Sequence, residues 1–230
     1  MLVYLDQNYA SRIAKHLLGQ ASHQAFGEAL AALRTAGAKA PPSPFHVLET
    51  RGGYLLPTLK ELFGELAGGG WVRPWQEVVR RQIERGAVAR DDLLTAEGSW
   101  DRAATLDPLG DLLAVPLDGS VVRRRVTARD AIAVRLDLPS TRARSLPFAE
   151  LLARLLAFRS ADAGRADQPS DLTDLIMGAT VAPYVDALAT DRYLAEMLGR
   201  VGHDRPVFSG RRPDVLRFAA WLQDAAPGAS

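Results

Sequence analysis

The amino-acid sequence predicts an α/β fold in which a short parallel β-sheet is flanked by helices. Short β-prone runs alternate with helix-like segments at both ends of the 230-residue chain, which is typical of parallel strands with helices on their faces. The composition, 47% hydrophobic and 24% charged, is that of an ordinary globular protein and excludes a mainly disordered chain. We expect one domain that spans residues 1–230.

The first fifth of the chain predicts one strand and three helices. Residues 2–5 form a short buried strand that stops at Asp6. Apolar residues at helical spacing predict helices over residues 9–18 and 26–33, each followed by a glycine. A proline-rich segment, which the prolines hold extended, then leads to a helix that contains Glu49.

The middle of the chain, residues 54–165, has a less regular pattern. Apolar residues at helical spacing predict several helices there, and three consecutive glycines at 68–70 interrupt them. We interpret this segment as a large, mainly helical insertion within the domain. An insertion of this kind could supply substrate specificity, a surface for a partner, or a lid.

Regular elements are predicted again from Ser170 onward. Ser170 is a typical N-cap residue, and the helix that follows it ends before Pro183. The remaining elements alternate in type: residues 185–190 and 206–208 are predicted strands, and residues 192–198 and 215–222 are predicted helices.

Four acidic residues are expected at one edge of this sheet, because ligands of parallel α/β sheets bind at the carboxyl ends of the strands. Asp6 ends the first strand, and Asp191 directly follows the strand at 185–190. Asp174 lies near the start of the helix before that strand, and Glu49 begins the helix after the proline-rich segment. A crossover helix runs antiparallel to the strands, so its start lies at the same edge.

Two neighbouring acids are interpreted differently. Asp186 lies at the start of the strand at 185–190, and five residues of strand span roughly 16 Å, which places it at the opposite edge. Asp171 precedes Asp174 by about one helical turn. Its simpler role is at the helix N-terminus, where the helix dipole favours a negative charge.

Four carboxylates without basic partners repel one another unless a cation neutralises them. Oxygen ligands favour hard divalent ions, so we expect Mg²⁺ or Mn²⁺. Such a site activates a water molecule and stabilises the charge that develops on a phosphate during cleavage. The four acids therefore predict metal-dependent hydrolysis of a phosphodiester.

Four short motifs also resemble those of a known family. They are Tyr4-Leu5-Asp6-Gln7-Asn8, Ser43 together with Glu49, Asp174-Leu175-Ile176-Met177-Gly178-Ala179-Thr180, and Ala189-Thr190-Asp191-Arg192. In this order they resemble the PIN-domain nucleases, and the resemblance covers residues 1–50 and 168–222. It implies a PIN-like sheet.

The resemblance also implies roles for individual residues. Carried over position by position, the catalytic acids are Asp6, Glu49, Asp174 and Asp191. The metal ligands among them are Asp6, Asp174 and Asp191. The polar neighbours that support the site are Asn8, Ser43 and Thr190.

PIN-like domains are mostly metal-dependent nucleases that act on RNA, and many small ones are toxins. The resemblance thus implies an endoribonuclease, a toxin or phage-defence effector, with an antitoxin or other protein partner and a homodimer. The absence of cysteine fits a reducing compartment, so we expect a cytoplasmic protein. Two alternatives stay open: a PIN-like RNA-binding or assembly module that no longer cuts, and a nuclease directed at DNA.

The charge pattern limits how nucleic acid could bind. The net charge is only +1, and 25 of the 28 basic residues are arginine, so a local patch rather than the whole surface would have to bind phosphates. The densest clusters are Arg123, Arg124 and Arg125 in one segment and Arg211 and Arg212 in another. The absence of cysteine excludes disulfides and thiolate zinc sites. With no apolar run of membrane-spanning length, we expect no membrane partner.

Overall fold

The computed structural model describes residues 1–50, 53–85, 89–162 and 168–225. Its strands, numbered in chain order, are β1 (Val3–Leu5), β2 (Trp71–Val72), β3 (Leu94–Thr95), β4 (Ala187–Thr190) and β5 (Val207–Ser209). Strands β1, β4 and β5 form a parallel sheet in the order β1-β4-β5, whereas β2 and β3 form a separate antiparallel pair. The predicted α/β class with a short parallel sheet flanked by helices is confirmed.

Helices make up most of the described chain. In chain order they are α1 (Gln7–Leu17), α2 (Gln24–Thr35), α3 (Pro44–Thr50), α4 (Leu56–Leu66), α5 (Trp75–Arg85), α6 (Arg90–Leu93), α7 (Val121–Arg135), α8 (Ser140–Ser145), α9 (Pro147–Arg159), α10 (Pro169–Val181), α11 (Arg192–Arg200) and α12 (Arg212–Asp224). No helix within these described ranges is both long and apolar enough to cross a membrane.

The sheet is shorter than the sequence predicts. Strand β4 covers only the last four residues of the predicted strand at 185–190. The proline-rich segment adds a single parallel bridge, between Leu2 and Lys39, beside β1. Pairing stops there because Pro41 and Pro42 have no backbone N–H to donate to a neighbouring strand.

Successive residues of the strands face two separate hydrophobic clusters, because side chains alternate across a sheet. Val3, Leu5 and Ala189 pack with α1, α2, α4 and α12 on one face. Tyr4 and Leu188 pack with α5, α7, α9, α10 and α11 on the other face. Both faces are therefore covered, as expected for a parallel sheet.

The middle segment contributes to both faces of the sheet. Its described part is mainly helical, as predicted, apart from the β2–β3 pair. Helix α4 packs against α1, whereas α5 packs against α10, and α9 packs against α7, α10 and α11. These helices belong to the two main hydrophobic clusters, so the segment is part of the core rather than a lid over it.

The start of α10 differs from the prediction. Ser170 was expected to cap this helix, but the N-cap is Gln168 and Pro169 occupies the first turn. Proline fits there because the first helical N–H groups have no partner in the helix. Asp171 accepts a hydrogen bond from the Gln168 N–H at 3.3 Å, so its expected role at the helix N-terminus is confirmed.

Candidate active site

Parallel pairing of β1 with β4 brings Asp6 and Asp191 side by side. Leu5 lies opposite Ala189, and the Asp6 N–H donates to the Ala189 carbonyl at 2.9 Å, so each acid leaves the sheet at the same edge. Both acids cap the next helix: Asp6 Oδ1 accepts from the Tyr9 N–H, and Asp191 Oδ1 accepts from the Leu194 N–H, each at 2.8 Å. Aspartate is a preferred N-cap, which explains why both helices begin here.

Hydrogen bonds to the second carboxylate oxygen of Asp6, Oδ2, fix the orientation of its side chain. Oδ2 accepts hydrogen bonds from the Thr190 hydroxyl and, at 2.8 Å, from the Asp191 N–H. Thr190 is buried, and its hydrogen bond orients the Asp6 carboxylate. This is the supporting role that the resemblance implied for Thr190. Since a carboxylate oxygen has two lone pairs, Asp6 keeps one free acceptor site, on Oδ1.

Glu49 and Asp174 reach the same place from helices α3 and α10. Together with Asn8 and Asp191 they line a cleft of about 570 Å³, and Asp6 lies buried beside it. In the described part of the chain, Glu49 and Asp174 accept no hydrogen bond and form no ion pair. Their lone pairs are thus free, in contrast to those of Asp6.

The acids are close enough to disfavour one another's ionisation. Burial, and then the charges of Asp191, Glu49 and Asp6, raise the pKa of Asp174 to about 8. Burial likewise raises the pKa of Asp6 to about 6, although hydrogen bonds from Thr190 and Tyr9 oppose the rise. The pKa of Glu49 rises to about 7, first because the surrounding protein displaces water from its carboxyl group and then because of the charges of Asp6 and Asp191. Part of the side chain remains exposed, so water screens some of this repulsion.

The donor set fits a hard divalent cation, but its arrangement is not yet that of a bound ion. The groups are all carboxylates, the ligands that Mg²⁺ and Mn²⁺ prefer, and the repulsion among them is what a cation would relieve. Among the described residues, however, no three such groups surround a common point closely enough to hold an ion. Binding would require rotation of Glu49 and Asp174, which no hydrogen bond to the described residues opposes.

A buried polar network links β1 to the helix that carries Glu49. The Tyr4 hydroxyl and Ser43 Oγ are 2.7 Å apart, and the Ser43 N–H donates to His46 Nδ1 at 2.9 Å. His46 Nε2 donates to the Leu5 carbonyl at 2.7 Å. This pattern makes the imidazole neutral, and its burial lowers the pKa of His46 to about 4. Ser43 thus supports the site through Tyr4 and His46 and contacts none of the four acids.

Asp186 and Asp171, the two neighbouring acids that the sequence analysis did not include in the site, each pair with an arginine. Asp186 accepts from the Leu2 N–H at 2.8 Å and pairs with Arg90 at the amino edge of the sheet, as its position predicted. Asp171 is buried, lines the cleft, and pairs with Arg159 Nη2 at 3.0 Å. Asp174, one turn away, has no such cation among the described residues.

The two basic clusters lie in different places. Arg123, Arg124 and Arg125 are on α7; Arg125 pairs with Glu150 at 3.0 Å, and none of the three lines the cleft that holds the acids. Arg211 is the N-cap of α12 and lines a second cleft, of about 240 Å³, together with Asn8, Thr190 and Asp191. The C-terminal cluster is therefore the one beside the acids.

No model of a known protein family matches this chain, and neither a curated protein nor a solved structure is similar enough to count as a match.

Proposed function

We propose that this protein is a nuclease that hydrolyses phosphodiester bonds with the help of Mg²⁺ or Mn²⁺, and that its substrate is RNA. The observation that carries the proposal is the convergence of Asp6, Glu49, Asp174 and Asp191, from four separate segments, on one cleft at the carboxyl edge of the sheet. The raised pKa values of three of them measure the cost of this arrangement.

A purely structural role accounts poorly for this cost. Two nearby acids with structural roles are compensated, Asp171 by Arg159 and Asp186 by Arg90. Among the described residues, the charged groups that shift the pKa of Asp174 are all carboxylates. An uncompensated cluster of this kind costs stability, and binding sites for cations and substrates are where proteins tolerate such a cost.

Asp6, Asp174 and Asp191 would hold the ion. A divalent cation, when bound, supplies a more acidic water molecule and positive charge for the phosphate. Thr190 and the α1 and α11 caps keep Asp6 and Asp191 in fixed orientations. Glu49, whose lone pairs no described residue engages, would help to hold the ion or orient the attacking water.

The choice of RNA rests on the resemblance to PIN-domain nucleases, as do the toxin or phage-defence role, the antitoxin partner and the homodimer. The proposed cytoplasmic location rests on the absence of cysteine. Asn8 is exposed at the mouth of the cleft, where its amide can donate a hydrogen bond to a phosphate oxygen. We include this contact in the proposal.

The test is a cleavage assay on labelled RNA and single-stranded DNA of the same sequence, with Mg²⁺, Mn²⁺ or EDTA. We expect cutting of RNA that EDTA abolishes and that the Asp174→Asn variant lacks. Asp118→Asn, the same change at an exposed acid outside the cleft, should cut like the wild type. Cutting in EDTA, or by Asp174→Asn at the wild-type rate, would refute the proposal. Metal-dependent cutting of DNA but not of RNA would show that the substrate in this proposal has to be DNA.

A further inference from the structure

The cleft that holds the acids continues into two further clefts along helix α1. The second cleft, of about 240 Å³, shares Asn8 and Asp191 with the first. The third, of about 500 Å³, shares Arg12 and Gly210 with the second and extends to residues 21–26 at the start of α2. We call the second and third clefts the basic groove.

Arg12 is placed where these two clefts meet. It follows Asn8 by four residues on α1, so both lie on one face of the helix, and it stands about 9 Å along the axis from Asp6. Its Nη1 donates to the Gly210 carbonyl at 2.5 Å, and its guanidinium carbon lies 5.6 Å from the centre of the Phe26 ring. These contacts hold the guanidinium in place, while its other N–H groups stay available for a ligand.

Gly210 makes this placement of Arg12 possible. A Cβ at that position would lie 2.9 Å from Arg12 Nη1, so a larger residue would displace the guanidinium. Sequence reasoning did not identify Arg12, because nothing in the local pattern shows that its side chain meets a loop 198 residues further along the chain.

The charge of the basic groove is largely uncompensated. In the described part of the chain, no carboxylate lies within ion-pair distance of Arg12, Arg211 or Arg212, all of which are exposed and line the groove. Arg192 also lines it and pairs with Glu196 at 2.6 Å. The acids on the described walls of the groove are Glu28 in the third cleft and Asp191, where the groove meets the cleft of the acids.

Positive charge extends further along α1. The pKa of His23, on the wall of the third cleft, is lowered by burial and then by the charges of Lys15, Arg12 and His16. The cleft of the acids differs, since its described lining contains no lysine or arginine and includes Leu48 and Leu106. Among the described residues, the basic side chains that line these clefts therefore lie on the α1–α12 side of the acids.

We propose that the basic groove binds the backbone phosphates of a single-stranded polynucleotide and leads the strand to the acids from the α1–α12 side. The statement that the groove leads the strand to the acids rests on the proposed function. The statement that the groove binds the strand does not. Clefts of about 240 and 500 Å³ have the size of small-molecule sites, so they admit separate nucleotides. A single strand can place its unpaired nucleotides one by one in such clefts, whereas the paired bases of a duplex are not free to enter them.

The test measures binding of short labelled RNA and DNA strands of one sequence, and of the DNA duplex of that sequence, by fluorescence anisotropy, in EDTA so that no cleavage occurs. The groove variant is Arg211→Gln with Arg212→Gln. The matched control is Arg80→Gln with Arg144→Gln, two exposed arginines outside the groove. Circular dichroism of both variants establishes that they are folded.

We expect the groove variant to bind at least tenfold more weakly at low salt, and the control to change less than twofold. Loss of two phosphate contacts should also reduce the salt slope of log K by about 1.4, at about 0.7 for each contact to a single strand. Arg12→Gln alone should weaken binding in the same direction.

Equal weakening in both double variants would overturn the inference, as would unchanged affinity in the groove variant, no binding to either strand, or tighter binding to a duplex. The outcome is separable from that of the cleavage assay. A groove effect without metal-dependent cutting would refute the proposed function and leave strand binding in place. Metal-dependent cutting together with unchanged affinity in the groove variant would support the proposed function and refute strand binding by the groove.

Discussion

Replacing Asp174 by asparagine should stabilise the metal-free protein at mildly alkaline pH. The folded-state pKa of this carboxyl is about 8, compared with 3.8 for an unperturbed aspartate. The folded state therefore binds the proton more tightly than the unfolded state between these two values. The free energy of unfolding falls as pH rises through this interval, and the loss is complete above about pH 8.

The magnitude follows from the size of the shift. Each pH unit in this interval lowers the free energy of unfolding by about 1.4 kcal/mol for one group, so about 4 kcal/mol would be lost between pH 5 and 8. Water reaches Asp174 in part, so we expect about 2–4 kcal/mol. Asparagine has a similar shape and no charge. Asp174 accepts no hydrogen bond from the described residues, so its replacement removes none.

The measurement is urea unfolding of wild type and Asp174→Asn in EDTA, at several pH values from about 5 to about 8. Because the acids repel one another, the difference between the two proteins reports the charge of Asp174 together with its effect on Asp191, Glu49 and Asp6. Asp118→Asn serves as the control and should follow the wild type. A difference that stays constant with pH, or a variant that is less stable at pH 8, would contradict the reasoning.

Three further predictions follow from the same geometry. Asp6→Asn should abolish cleavage of labelled RNA and also lower stability by about 1 kcal/mol, since an amide nitrogen cannot accept the hydrogen bond that Oδ2 takes from the Asp191 N–H; full cutting activity would contradict the assignment. His46→Ala should cost about 2–4 kcal/mol in urea unfolding, because it empties a buried site and leaves the Ser43 N–H and the Leu5 carbonyl without their partner. Excess Mn²⁺ should raise the melting temperature of the wild type at pH 8 but not that of Asp174→Asn, and an equal rise in both would refute this.

The strands and the acids could be predicted from the sequence because local rules determine them. A short apolar run that ends in Asp6, and another that ends in Asp191, mark the two strand ends. The rule that parallel strands expose their carboxyl ends at one edge then brings these acids together. The start of α10 was misplaced by two residues because Ser170 and Gln168 are both polar, and proline at the next position decides between them.

The remaining features depend on contacts between distant residues, which a single sequence does not show. The network from Tyr4 through Ser43 to His46 forms only once β1 and α3 lie together. The contribution of the middle segment to both faces of the sheet depends on how α4 and α9 pack, not on their own periodicity. The proposed role of Arg12 likewise depends on a contact between distant residues, the hydrogen bond from Arg12 to the Gly210 carbonyl.

The most direct test of the central claim, that the four acids form a divalent cation site, is a titration of the protein with Mn²⁺ followed by electron paramagnetic resonance of the free ion. The account predicts saturable binding by the wild type near neutral pH, binding at least tenfold weaker in Asp174→Asn, and no change in Asp118→Asn. Failure of the folded wild type to bind Mn²⁺, or equal binding by all three proteins, would contradict it.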